Sequence, residues 1–251
     1  MNGQLRMGAL DRSIPARALR RGLGFAHTLT SDPQGRRAFW LRLTRPANLF
    51  QPYGETLPDR YPELFGFARS EIGDSPDVRL LSFGCARGDE VVSLRLYFAL
   101  ATIKGIDISR GNIKECRRRR DLANDPRVEF ARAGGAQGEP PSHYDAIFCM
   151  AVFRHGDLTG QGRQSCADLI SFDAFESTVA GLSKCLKPGA LLVVEHSNFR
   201  FEDTATSQAF ECIRRRARAD WERERTPLFG PDNLAIPSPE EIGTVFRKRA
   251  T

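Results

Sequence analysis

The sequence predicts an α/β fold: a doubly wound, mostly parallel sheet with an antiparallel edge strand and a basic N-terminal arm. Three observations carry the prediction. Between Val78 and Glu195, short apolar runs alternate with helix-length amphipathic stretches, the pattern of right-handed strand–helix–strand units. The first run, Val78 to Phe83, passes through Gly84-Cys85-Ala86-Arg87-Gly88 directly into a helical stretch opened by Asp89 and Glu90. Asp107 closes the second run, 19 residues after Gly88, where an open parallel sheet would present it to a ligand beyond the strand ends.

A chain of 251 residues that is 41% apolar can bury a substantial core and suits one α/β domain with appendages. No apolar run approaches the roughly 20 residues needed to cross a bilayer, so no membrane partner is expected. Six cysteines without CxxC pairing give neither a metal nor a redox motif, and they read as reduced, buried thiols in a cytoplasmic protein. The formal charge is +6, and residues 1 to 50 carry nine arginines against Asp11 and Asp32, so the excess sits in the N-terminal arm. A basic arm is compatible with nucleic acid, but this one has no aromatic interleaving and no basic cluster longer than a pair, and nucleic acid is not the favoured partner.

Taken in order, residues 1–45 form the arm, with a short amphipathic helix expected around Ile14 to Leu23. Residues 46–75 form an aromatic, proline-rich loop, Asn48 to Tyr61, followed by a helix that starts at Pro62 and stops at Gly73. Residues 76–251 form the main domain. Its strands are expected at Val78–Phe83, Thr102–Ile108, Arg127–Ala133, Tyr144–Val152 and Ala190–Glu195. Helices are expected at Glu90–Ala101, after the N-cap Ser109, and at Phe175–Cys185. The tail reads as a helix over Ser207–Arg218 and two strands, Thr226–Phe229 and Gly243–Lys248, pairing at one edge.

The turn at Gly84 to Gly88 reads as a cofactor cradle, because glycines permit a sharp turn and close approach while the next helix aims its free amides at the ligand. Asp107 is placed to accept hydrogen bonds from the hydroxyls of a ribose. Two cofactor classes share this arrangement, dinucleotides and S-adenosylmethionine. Counted from Gly84, the dinucleotide pattern GxGxxG has Ala86 and Asp89 at its second and third glycines. Asp89 and Glu90 in the first helical turn would repel a pyrophosphate but suit a ligand carrying an ammonium and a sulfonium. They would also serve simply to offset the helix dipole.

Ser82 to Glu90, Gly105-Ile106-Asp107-Ile108, Tyr144 to Cys149 and Leu186 to Leu192 together resemble, in order, the conserved blocks of class I S-adenosylmethionine-dependent methyltransferases, whose sheet is Rossmann-like. The glycine turn and the Ile147-Phe148-Cys149 block are similar to those of chemotaxis-receptor methyltransferases. The resemblance covers about residues 76 to 200. It implies that Gly84, Cys85 and Ala86 lie under the methionine part of the cofactor, Asp107 holds the ribose, Ile108 packs on adenine, and Cys149 with Met150 lines the approach to sulfur. Gly88 and Glu90 complete the expected cofactor set, and no metal is expected. The sequence departs from the family at Ser82, which replaces the usual acid, at Ala86, which replaces the middle glycine, and at Met150-Ala151, which replaces an Arg-Asn pair. It has no clear receptor-peptide insertion, so glutamate methylation is not carried over.

The expected chemistry is in-line displacement of a sulfonium methyl by an acceptor heteroatom, with a small-molecule acceptor favoured. Cys149 to Val152 lacks the Asp/Asn-Pro-Pro-aromatic pattern of base amino-methylation. His155, just after the fourth strand, is the first general-base candidate, with Glu195 and His196 next. The segment Phe50 to Tyr61 is expected to fold over the cofactor, with Gln51, Tyr53 or Arg60 in contact. The competing readings are an NAD-dependent oxidoreductase and a catalytically idle S-adenosylmethionine-binding protein.

Overall fold

A computed structural model describes residues 33–44, 46, 48–54, 59–119, 121–122, 124–160, 162–217 and 226–250. The helix expected at Ile14 to Leu23 lies outside the described residues. The last part of the arm forms α1 (Pro33–Thr44). The remaining helices are α2 (Pro62–Ile72), α3 (Asp89–Tyr97), α4 (Arg110–Cys116) and α5 (Phe172–Cys185). Five strands carry the parallel part: β1 (Arg79–Phe83), β2 (Thr102–Asp107), β3 (Val128–Arg132), β4 (Tyr144–Met150) and β5 (Leu186–Glu195). After them come β6 (Phe210–Ala217), β7 (Leu228–Phe229), β8 (Ala235–Ile236) and β9 (Glu241–Lys248).

The main sheet has the order β3-β2-β1-β4-β5-β9-β6. Pairs within β1 to β5 are parallel, and β9 runs antiparallel to both β5 and β6. The order reverses between β1 and β4, which sets a crevice at their carboxyl ends. Both faces are covered, because alternate residues on each strand point to opposite sides. Leu81, Ile147, Cys149, Leu192 and Val194 pack with Phe153, Phe175, Val179 and Leu182 on one side. Leu80, Phe148, Leu191 and Val193 pack with Phe65, Val91, Leu94 and Phe98 on the other. The helix boundaries follow local chemistry: the Ser109 and Ser171 hydroxyls accept the backbone N–H of Asn112 and Ala174. All six cysteines are free thiols, five of them buried.

The tail differs from its expectation. Residues 207–217 are not a helix: Ala205–Ala209 is a 3₁₀ turn, and Phe210–Ala217 is the edge strand β6. The arginines of β6 form ion pairs, Arg214 with Glu63, Arg215 with Glu202 and Arg216 with Glu195. Phe210 is buried at the strand's start, and pairing with β9 overrides local helix propensity. The two tail strands do not pair with each other. Leu228–Phe229 pairs with Ala235–Ile236, while β9 inserts between β5 and β6. Boundaries also move: α3 stops at Tyr97, β4 ends at Met150, α5 begins at Phe172, and β5 begins at Leu186, through Pro188 and Gly189.

Candidate functional site

At the carboxyl end of β1 the chain makes two sharp turns. Gly84 has φ 78° and is packed against Val152, whose side chain occupies the space a Cβ would need. The N–H groups of Gly84 and Cys85 both donate to the Ile106 carbonyl, at 2.8 and 3.0 Å, tying the turn to β2. Ala86 is held at φ 47°, a left-handed conformation that a residue with a Cβ adopts only under constraint. That constraint is visible, since its N–H donates to Asp107 Oδ2 at 3.0 Å. Gly88, at φ 87°, caps α3 and faces Cys116, Arg119 and Phe130 instead of the crevice.

The crevice is a cavity of about 480 Å³. Gly84, Cys85, Ala86, Glu90, Asp107, Ile108 and Met150 all line it. Asp107 Oδ1 also accepts from the Ser109 N–H at 2.7 Å and the Asn112 amide at 3.1 Å. Burial pushes the Asp107 carboxyl up to about 6, against the three donors that pull it down. The two acids at the start of α3 separate. Asp89 turns away to pair with Arg119, whereas Glu90 lines the cavity, accepts the Ser82 hydroxyl at 2.7 Å and is pushed up to about 8 by desolvation. Glu90 thus supplies a carboxylate where Ser82 stands on the strand.

Gly88, Cys149, His155, Glu195 and His196, all named from the sequence, lie outside the cavity wall. Gly88 is the cap just described. Cys149 is fully buried in the core on the opposite face of the sheet from Met150, and burial raises its thiol. The His155 ring borders an adjacent cavity with Arg42 and Asp168. Its Nδ1 accepts the Asp157 N–H at 3.3 Å, and burial lowers its pKa to about 4.

The aromatic segment does reach the cavity, where Gln51, Tyr53, Arg60 and Tyr61 are wall residues. The Tyr53 hydroxyl donates to Asp157 Oδ1 at 2.7 Å, Arg42 of α1 pairs with Asp157, and Arg37 of α1 pairs with Glu115 of α4. These contacts strap α1 and residues 48–54 across the crevice. Asp59 and Tyr61 are fixed from two sides. The Asp59 N–H donates to Ser93 Oγ at 2.8 Å, and the Tyr61 hydroxyl sits 2.8 Å from His196 Nδ1. Tyr61, Asn112 and Asp157 are wall residues with little local signal in the sequence, since their contacts span 135, 75 and 104 positions of chain.

A site with two carboxylates at its cradle end suits a cationic adenosyl ligand and opposes a pyrophosphate. Residues 81–194 match the family model described as a methyltransferase domain. No curated protein matches the chain in sequence. Among solved structures, the Haemonchus contortus phosphoethanolamine N-methyltransferase 2 with S-adenosyl-L-methionine is similar at 17% identity and a TM-score of 0.40, over 68% of this chain and 35% of that one. An amino pentose methyltransferase from Micromonospora echinaspora is similar at 19% identity and TM-score 0.41, over 59% and 54%. The geranyl diphosphate C-methyltransferase of Streptomyces coelicolor A3(2) is similar at 19% and 0.38, over 53% and 44%. The chain thus spans about a third to a half of the length of these structures. The sheet order, the glycine turn and the family match coincide on the same residues, and residues 81–194 are a methyltransferase domain by that match.

Proposed function

We propose that this protein transfers the methyl group of S-adenosylmethionine to a small-molecule acceptor. The observation that carries the reading is the pairing of Glu90 with Asp107 on opposite parts of one cavity, both carboxyls raised by burial and both stabilised by a ligand that brings positive charge or hydroxyl donors. Glu90 receives the ammonium of the methionine part, and Gly84, Cys85 and Ala86 form the floor under it. Asp107 accepts the ribose hydroxyls with the lone pairs its three donors leave, and Ile108 packs on the adenine. Met150 borders the approach to the sulfur. The cofactor supplies an activated methyl on a sulfonium.

The rest is positioning: the straps over the crevice exclude water and hold the acceptor about 3 Å from the methyl carbon. The acceptor assignment rests on size and lining. A cavity of about 480 Å³, walled by aromatic and single polar side chains, fits a small molecule beside the cofactor. His155 holds the loop after β4 through the Asp157 N–H and its own N–H to Asn198, at 2.8 Å. The idle-binder reading predicts cofactor retention without turnover. Labelled-methyl transfer over small-molecule, protein and RNA fractions of the native cell tests the assignment. Label in the small-molecule fraction is expected, and label confined to protein or RNA would overturn it.

A further inference from the structure

A second cavity, of about 510 Å³, lies beside the first, and the proposed reaction does not use it. Asn48, Leu49 and Phe50 line both, so one short segment is a wall of each. Most of the second lining is apolar, with Leu49, Phe50, Leu169 and Ile170 its largest aliphatic and aromatic side chains. Its two charged side chains already have counter-ions: Arg42 pairs with Asp157, and Asp168 with Arg163 at 2.9 Å. Among the described residues, the wall thus holds no unpaired charge, and an ion entering it would lose hydration without compensation.

The remaining polar side chains of the wall are Asn48, Ser171 and His155. The Ser171 hydroxyl is engaged as the cap of α5, accepting the Ala174 N–H. His155 is 5% exposed, and its Nδ1 accepts the Asp157 N–H at 3.3 Å, which puts the proton of the neutral ring on Nε2. Burial keeps that ring neutral by lowering its pKa to about 4. The residue's two hydrogen bonds are made by its backbone N–H and by Nδ1, so Nε2 is left as a donor without a partner. A group so enclosed is ordinarily satisfied. The ring borders the second cavity and not the cofactor's, so this is the donor the second cavity offers.

The same residues join the two cavities. Asp157, held by His155 through its N–H, holds Arg42 and the Tyr53 hydroxyl through its carboxylate. Phe50 packs edge-on against Phe153 of the loop after β4, with ring centroids 5.1 Å apart. A molecule bonded to Nε2 and packed on Leu49 and Phe50 therefore restrains both parts of the strap across the crevice.

We infer that the second cavity is a binding site for an uncharged, mainly apolar small molecule that accepts a hydrogen bond from His155 Nε2, and that its occupancy steadies residues 48–54 over the cofactor. The site stands on this geometry alone, and only the coupling rests on the methyltransferase reading. By linkage, cofactor and ligand each raise the other's affinity by the same factor.

The full chain is titrated with four molecules of one skeleton, fluorenone, fluorene, fluorenylcarboxylate and fluorenylammonium, followed by calorimetry and ¹⁵N-histidine resonances. Fluorenone is expected to move the His155 Nε2 resonance. It binds about three- to tenfold more tightly than fluorene, the usual net effect of one neutral hydrogen bond, and more tightly than either ion. His155→Phe keeps a ring in place and is expected to bind ketone and hydrocarbon equally. Ala174→Phe fills the cavity from α5 and is expected to bind neither, with S-adenosylhomocysteine affinity within about twofold of wild type. In the wild type, saturating fluorenone is expected to raise S-adenosylhomocysteine affinity about fivefold. Absence of S-adenosylhomocysteine binding would retire the methyltransferase reading and the coupling, while the fluorenone series still tests the site. Fluorenone displaced by S-adenosylhomocysteine, fluorenone bound no better than fluorene or an ion, or binding untouched by Ala174→Phe would overturn the site. Equal S-adenosylhomocysteine affinity with and without fluorenone would overturn the coupling.

Discussion

Replacing Glu90 by Gln separates what this carboxyl does for the cofactor from what it costs the fold. Its pKa lies at about 8 instead of 4.5, because burial opposes the charge more than the Ser82 hydroxyl supports it. Binding a cationic ligand requires the ionised form, so between pH 8 and pH 6 the wild-type affinity for S-adenosylmethionine falls about tenfold per unit, equivalent to about 1.4 kcal/mol. Isothermal titration in buffers of different ionisation enthalpy reads this as release of up to about one proton per ligand near pH 7. Glu90→Gln abolishes the release and flattens the pH dependence above the range in which Asp107 titrates. The same shift has a stability consequence of opposite sign. A carboxyl whose folded pKa is raised favours the native state below about pH 4.5, and this contribution is lost as pH rises through 8. Above that, the unmodified ligand-free protein carries a penalty of at most about 5 kcal/mol. Glu90→Gln therefore melts higher than wild type at pH 8 without ligand, yet gains less from ligand. Proton release unchanged by the substitution, or none in wild type, would refute the reasoning.

Gly84→Ala places a methyl against Val152 at φ 78°, costing about 2 kcal/mol or more and lowering the melting temperature by about 5 °C, as read by calorimetry. Asp107→Ala strands the Ala86 and Ser109 N–H groups and removes the ribose acceptor. S-adenosylhomocysteine affinity is expected to drop about 100-fold by titration, from the loss of the charge-assisted hydrogen bonds to the ribose. Asp157→Asn weakens both the Tyr53 and Arg42 straps. Because these are part-exposed contacts worth about 0.5–1 kcal/mol each, the expected effect is a three- to tenfold faster cofactor dissociation by stopped flow, with little change in melting temperature.

The parallel half of the sheet was legible because its strands are short, largely apolar segments that alternate with helix-length stretches. The tail was not. In Phe210 to Ala217 the arginines fit a helix surface as well as an edge strand, and only β9 and the acids Glu63, Glu202 and Glu195 decide between them. The cradle end of the cavity followed from the spacing of Gly84, Gly88 and Asp107, which the fold places by local turns. The separation of Asp89 from Glu90 did not, since it depends on Arg119 in the next unit. Tyr61 shows the same limit. Its segment stood out for aromatic and polar texture, but its partner His196 is 135 residues away, and no local pattern joins the two. Among the described residues, no helix is long and apolar enough to cross a membrane, and no group of three or more His, Cys, Asp or Glu is placed to hold a metal ion.

The most direct measurement is a paired calorimetric titration of the full chain with S-adenosylhomocysteine and with NAD at pH 8, where Glu90 is half ionised and Asp107 fully so. Saturable binding of S-adenosylhomocysteine with no heat from NAD is the predicted result. Tight binding of NAD with none of S-adenosylhomocysteine would contradict the reading of this cavity as a sulfonium-cofactor site.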